Sequence, residues 1–336
     1  MNDENAKRRS MSEDIIPSRE WRLLSAILSL LLATMCAALT ACAASEGMKE
    51  PSPIQRRQSV KAVNWKAVAR AMGVSGTMQP GGVFKFGLPR RDLRVTVEGV
   101  RLKPALALGS WIAFKQVDGE TVVMGDLVLT EDEVSPVMQK LQQSGIEQMA
   151  LHNHLLHESP RVMYMHIRGR GDPVKMARAI RAALALTGTP FTPSADRARP
   201  ENPAMDTEQL DKIIGRGGAW KGGVYAFGIP RAEKITVDGM DVPSAMGVVT
   251  ALNFQPVGDG RAAITGDFVL RAGEVNPVIR ALRQNDIAVT ALHSHMLTEE
   301  PRLFFMHFWA IGDAIKLARG LRAALDETNT VRGRAK

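Results

Sequence analysis

The sequence predicts an α+β fold: two homologous repeats, each an antiparallel sheet with two helices, behind an N-terminal signal or lipid-anchor segment. Three observations predict it. Residues 81–184 align with 222–325 at an offset of 141, with one-residue adjustments near Arg91 and Asp118. Roughly two aligned positions in five are identical, which marks a duplicated domain and not a short solenoid unit. Within each copy, β-branched and aromatic runs bounded by turn residues alternate with stretches of helical period. Ahead of both copies, residues 23–41 (LLSAILSLLLATMCAALTA) carry no charge at all.

That apolar stretch is preceded by Arg19 and Arg22 and ends in Leu39-Thr40-Ala41-Cys42. A basic flank, an apolar core and a small-residue end make an export signal. The last four residues resemble a lipobox, which implies cleavage before Cys42 and lipidation of its sulfur; acyl chains would then hold the protein on a membrane face. An uncleaved membrane anchor and a soluble secreted protein are the other readings of the same segment. The boundaries follow: signal 1–42, tether 43–62, repeat 1 over 63–186, linker 187–207, repeat 2 over 208–328. Tether and linker are rich in Pro, Ser and charged residues and lack apolar periodicity.

In repeat 1, residues 83–88, 94–102, 111–117 and 121–129 read as strands. Val134, Val137, Met138 and Leu141 set a helix over 133–144. Strands follow over 149–155 and 162–168, joined through Glu158-Ser159-Pro160. Asp172 and Pro173 open a helix over 173–186, and Asp313 stands in the matching place of repeat 2.

Composition narrows the function classes. The chain has 336 residues, a formal net charge of +8 and 45% apolar residues. No Lys/Arg run is interleaved with aromatics, so no nucleic-acid partner is expected. The two cysteines, Cys36 and Cys42, both fall in the signal segment, so any metal site must be built from His, Asp and Glu. No nucleophile motif or phosphate-binding glycine loop occurs, which disfavours covalent catalysis and nucleotide chemistry.

Six of the seven histidines form two matched sets, His152, His154 and His166, and His293, His295 and His307, each spaced His-x-His, eleven residues, His. Residues two apart on a strand share a face. A hairpin centred near Ser159 would put His166 opposite His152, within bridging distance of one ion. Three His ligands with an open position suit a divalent transition metal: zinc first, with iron, copper or manganese as alternatives. The competing reading is that duplication alone kept structural histidines. By alternation Arg168 and Trp309 would share the histidine faces, making one site polar and open and the other apolar and covered.

Glu158 and Glu299 stand four residues after the second His of each pair, as in the first half of the cupin metal motif, though the later His comes too soon for a cupin barrel. Glu133 closes a Thr130-x-x-Glu capping box. Its match Glu274 persists where Arg271 replaces the Thr, which weakens a purely structural reading. Glu158 and Glu133 are therefore the candidate general bases. Arg90, Arg161, Arg231 and Arg302 are candidate contacts for a carboxylate or phosphate ligand. Met163, Met165 and Met306 read as core residues.

The segments Ala150-Leu151-His152-Asn153-His154, Pro160 to His166 and Gly171-Asp172, with their counterparts Ala291 to His295, Pro301 to His307 and Gly312-Asp313, resemble the LppY/LpqO family of bacterial lipoproteins. The likeness covers nearly all of residues 63–326. It implies two repeats and a lipoprotein location in keeping with Cys42, and it implies neither a reaction nor a role for the histidines. The expectation is an exported, membrane-tethered protein whose partners are membrane lipid, through acylated Cys42, and an unknown small molecule or envelope component. Its His-rich site would support metal-assisted hydrolysis of a small envelope-associated molecule. The alternative is a non-enzymatic envelope lipoprotein that binds a metal or ligand.

Overall fold

The structure, a computed structural model, describes residues 62–192 and 205–331. The signal segment, Cys42 and nearly all of the tether lie outside the described residues. Among the described residues no helix is long and apolar enough to cross a membrane.

Repeat 1 runs α1 (Trp65–Met72), β1 (Thr77–Gln79), β2 (Val83–Pro89), β3 (Thr96–Val97), β4 (Val100–Arg101), α2 (Pro104–Ala107), β5 (Gly109–Val117), β6 (Glu120–Thr130), α3 (Glu131–Gln142), β7 (Glu147–His152), β8 (Glu158–Ser159), β9 (Val162–Gly171) and α4 (Pro173–Leu184). Repeat 2 follows the same order: α5 (Thr207–Ile214), β10 (Ala219–Lys221), β11 (Val224–Pro230), β12 (Thr236–Val237), β13 (Met240–Asp241), a 3-10 turn (Ser244–Met246), β14 (Val249–Gly258), β15 (Arg261–Leu270), α6 (Ala272–Gln284), β16 (Ala288–His293), β17 (Glu299–Glu300), β18 (Phe304–Asp313) and α7 (Ala314–Asp326). Each repeat has a six-stranded antiparallel sheet, ordered β1-β2-β5-β6-β9-β7 or β10-β11-β14-β15-β18-β16, and a three-stranded one, β4-β3-β8 or β13-β12-β17.

Two α+β repeats with antiparallel sheets are thus present, with a helix at the head of each that the sequence reading missed. The signals for α1 were there. Asn64 caps its first turn by accepting from Ala67 N at 3.1 Å, and Gly73 ends it at φ 73°. The strand expected over 94–102 is instead a two-residue hairpin, turned by Glu98 and Gly99 at positive φ. Part of the expected linker belongs to repeat 1: Arg91 Nη2 donates to the Thr192 carbonyl at 2.7 Å, and Arg181 sits over the Phe191 ring.

Strand alternation sorts the side chains into two layers. On β6, Val123, Leu127 and Leu129 pack with α1, α3 and α4, while Val122, Met124 and Val128 join side chains of the other repeat. β6 is buried from Thr121 to Leu129, as a strand covered on both faces must be. The helices therefore lie outside, and the two six-stranded sheets face each other through shared apolar clusters.

Matched bonds tie this interface. Trp309 Nε1 donates to Glu98 Oε2 at 3.1 Å across the repeats, and Arg168 pairs with Asp238, the counterpart of Glu98, in the reverse direction. Arg168 and Trp309 thus hold the repeats together and do not give each histidine set its own polar or apolar surroundings.

Candidate metal centre

The histidine register differs slightly from expectation. His152 lies opposite Tyr164, and His166 opposite Ala150, because the pairing shifts between Gln148 and Ala150 and β7 ends at His152. His154 falls past the strand end. The three rings still gather: His152 is 5.1 Å, centroid to centroid, from both His154 and His166.

The larger departure is that the two sets are one. His152 stacks on its own counterpart His293 at 3.6 Å, marking the pseudo-twofold axis. His154 stacks on His307 at 3.7 Å and His166 on His295 at 3.8 Å, two contacts that the same axis exchanges. Six imidazoles from facing sheets therefore line one chamber. His154 and His293 are half-buried, and the other four are buried. Ligand atoms of His152, His154, His293 and His295 all lie within 4.8 Å of one another, as do those of Asp267, His295 and His307. Metal–nitrogen bonds of about 2.0–2.1 Å put two ligands of one ion roughly 3–4 Å apart, so an ion would draw the four rings slightly inward.

Two carboxylates complete the wall. Asp126 pairs across from His166, and Asp267 from His307, each on the strand beside the histidine. Neither aspartate is among the sequence-derived site candidates. The available signal was a carboxylate inside an otherwise apolar strand, which is costly unless something compensates it. The glycines before them, Gly125 and Gly266, make room for the neighbouring strand: a Cβ at Gly266 would stand 1.8 Å from the Ala251 carbonyl oxygen.

Six buried polar atoms of the chamber lack partners. His307 Nδ1 donates to the Gly266 carbonyl at 2.8 Å, so in the neutral ring Nε2 carries the lone pair. That Nε2 faces Asp267 Oδ1 at 3.9 Å, too far for a hydrogen bond. His166 Nε2 and Asp126 Oδ1 repeat the 3.9 Å spacing. These four atoms, with Nε2 of His152 and of His154, are buried with no hydrogen-bond partner. His293 Nε2 and His295 Nε2 meet each other, at 3.1 Å. Native proteins leave few such groups unpaired, and each needs a compensating species.

Burial sets the charges. It pushes the His152 ring down to about 4 and His293 to about 3, and holds His154, His166, His295 and His307 well below the ordinary value. It raises Asp126 to about 7, partly offset by the Lys85 ammonium, and raises Asp267 well above the usual range, with the Asp126 charge adding to the effect. The site is a set of neutral imidazoles, His307 with its Nε2 lone pair turned inward, beside buried carboxyl groups. Such a donor set fits a transition metal, and the backbone bond to His307 Nδ1 is the kind of outer contact that orients a ligating ring.

The remaining candidates stand elsewhere. Arg90 and Arg231, candidate ligand contacts by sequence, spend their donors inside the fold. Arg90 donates from Nε to Asp92, from Nη1 to the Val128 carbonyl and Glu133, and from Nη2 to Asp92 and Glu133. Arg231 does the same with Glu233, the Val269 carbonyl and Glu274.

Glu133 is engaged with them. Besides Arg90 it accepts from Thr130 N at 2.9 Å and Gly188 N at 2.9 Å, so it has no lone pair free to act as a base. Burial alone would raise its pKa, but these bonds outweigh burial and hold it below 4.5. Glu274 accepts from Arg271 N and Asn329 N, both at 2.7 Å, which explains why it outlasted the Thr.

Glu158 lies on β8, where Oε1 accepts from Val162 N at 3.2 Å. Its Oε2 is buried without a partner, and burial raises the group to about 7. Glu299 makes the matching bond to Leu303 N and also accepts from Arg302. Arg302 further binds Ser294 Oγ and the Met296 and Leu297 carbonyls, bracing the histidine loop, whereas Arg161 is exposed beside Glu131. Met165 and Met306 are core residues, as expected.

Comparison with known proteins adds a family and no chemistry. The family described as Domain of Unknown Function (DUF1259) matches residues 66–186 and again 208–327. No curated protein matches. Among solved structures, the chain is similar to a trimeric bacterial microcompartment shell protein, PduB, at 12% identity over 78% of this chain and 96% of that one. The TM-score is 0.19, so this likeness carries no argument.

Proposed function

The chain belongs to the DUF1259 family, and we propose that its two copies of the domain jointly hold one transition-metal centre. The observation that carries the proposal is the facing of His307 Nε2, a lone pair, and the buried Asp267 carboxyl group at 3.9 Å, a spacing repeated between His166 and Asp126. A cation between such groups satisfies both. Imidazole suits zinc, iron and copper, and zinc is the first choice for a site of this composition. The site spans the interface between the repeats, so the bound ion would also stabilise the packing of one repeat on the other.

Metal binding is favoured over hydrolysis. The chamber lies between two sheets, and Glu133 is engaged in its clamp. The hydrolytic alternative rests on Glu158, whose buried Oε2 is unpartnered; that carboxyl would have to reach a metal-bound water. The protein's place is proposed from its sequence: exported, and held through acylated Cys42 on a membrane facing the envelope. Cys42→Ala is expected to move it from the membrane fraction to the soluble one.

The test of the metal reading is elemental analysis of the full chain purified in detergent. Near-stoichiometric metal, lost in His152→Ala/His154→Ala, is the expected result. Metal-free protein whose stability the double substitution leaves unchanged would refute it.

A further inference from the structure

Four methionines gather at one end of the chamber. Met124, Met149, Met246 and Met296 line a cavity of about 10 Å³ together with His166 and His295. That volume admits about one water-sized occupant. His166 is buried, and its Nε2 is without a hydrogen-bond partner.

The pseudo-twofold axis supplies an internal control. The positions matching these four methionines are Thr265, Thr290, Leu106 and Leu155, with no thioether among them. The other end therefore has matching histidines, His154 and His307, but hydroxyl and aliphatic neighbours. Thr290 is used there to donate to the His154 carbonyl at 2.6 Å. The methionines are thus a property of one end, added to a histidine frame common to both.

We infer that this cavity is a soft-cation subsite that takes a single Cu(I) ion through methionine thioethers and the His166 and His295 rings. The inference rests on the chamber being a metal site and adds which ion one end prefers. Thioether sulfur is a weak hydrogen-bond acceptor, so a water here would depend on the two imidazole rings, of which His295 Nε2 already meets His293. The same sulfur is a good ligand for monovalent copper and a poor one for hard divalent ions. A space that suits one small occupant, walled by soft donors and buried imidazole, discriminates by ligand chemistry where the histidine frame alone would not.

The experiment titrates the metal-free full chain with Cu(I) under anaerobic conditions against a chromogenic Cu(I) chelator, with Zn(II) titrated in parallel. X-ray absorption then identifies the atoms around copper. The expected result is one tightly held Cu(I) with copper–sulfur scattering. Met124→Leu/Met296→Leu, chosen to keep core volume, should weaken Cu(I) at least ~10-fold and leave Zn(II) binding unchanged. Nitrogen-only scattering, or an unchanged Cu(I) affinity in that variant, overturns the inference. A chain that binds Zn(II) but not Cu(I) overturns this subsite alone, whereas one that binds neither overturns the metal chamber as well.

Discussion

Each repeat contributes to two kinds of buried polar cluster, and the two are opposites. In the Arg90–Glu133 clamp and its Arg231–Glu274 copy, the guanidinium donors all meet acceptors. In the histidine chamber, six nitrogen and carboxylate atoms of His152, His154, His166, His307, Asp126 and Asp267 meet none. Duplication preserved both, so retention by itself distinguishes nothing. Satisfaction does: a paired cluster explains itself as structure, whereas an unpaired one calls for something the protein chain does not supply.

The largest effects are expected at the clamp. Glu133→Ala strands the Arg90 charge in the interior and should cost about 3–5 kcal/mol, read as the shift of the urea midpoint at constant slope. A loss under ~1 kcal/mol would mean that water or Asp92 replaces the partner, and the contrast with the chamber would fail. The clamp also sets a pH dependence. Glu133 and Glu274 are held below their unfolded value of 4.5, so their stabilisation is present above that pH and lost as pH falls through the lower folded values. Acid titration of Glu133→Gln should show a flatter decline in this window than the parent; an equally steep decline would assign it to other carboxyls.

The smallest stability effect, and of opposite sign, is expected in the chamber. Asp267→Asn replaces a carboxyl group whose charged form burial disfavours with a neutral amide that can donate to His307 Nε2. Metal-free protein should then be unchanged or up to ~1 kcal/mol more stable, while metal affinity falls. A loss of several kcal/mol in the metal-free variant would show that Asp267 already has a partner, and the chamber would join the clamp as structure.

Much of this was legible in the residues. The repeat, most central strands and the two histidine sets follow from spacing and alternation, and the rings of each set do gather. The merging of the sets could not be read there, because alternation on β9 and β18 says which side chains share a face but not what that face meets. The aspartates escaped for a related reason: the histidines they face stand on neighbouring strands 40 residues away in sequence. Glu274 misled in the other direction. Its persistence without a capping Thr pointed to function, whereas Arg231 and the Asn329 backbone account for it.

The proposed centre requires that both repeats ligate the same metal. A crystal of the zinc-loaded full chain, with data collected on either side of the zinc absorption edge, tests it most directly. An anomalous peak is expected within bonding distance of histidine nitrogens from both sets, with His154 or His152 on one side and His293 or His295 on the other. A peak bonded to the histidines of one repeat alone, or no peak in the chamber, would contradict it.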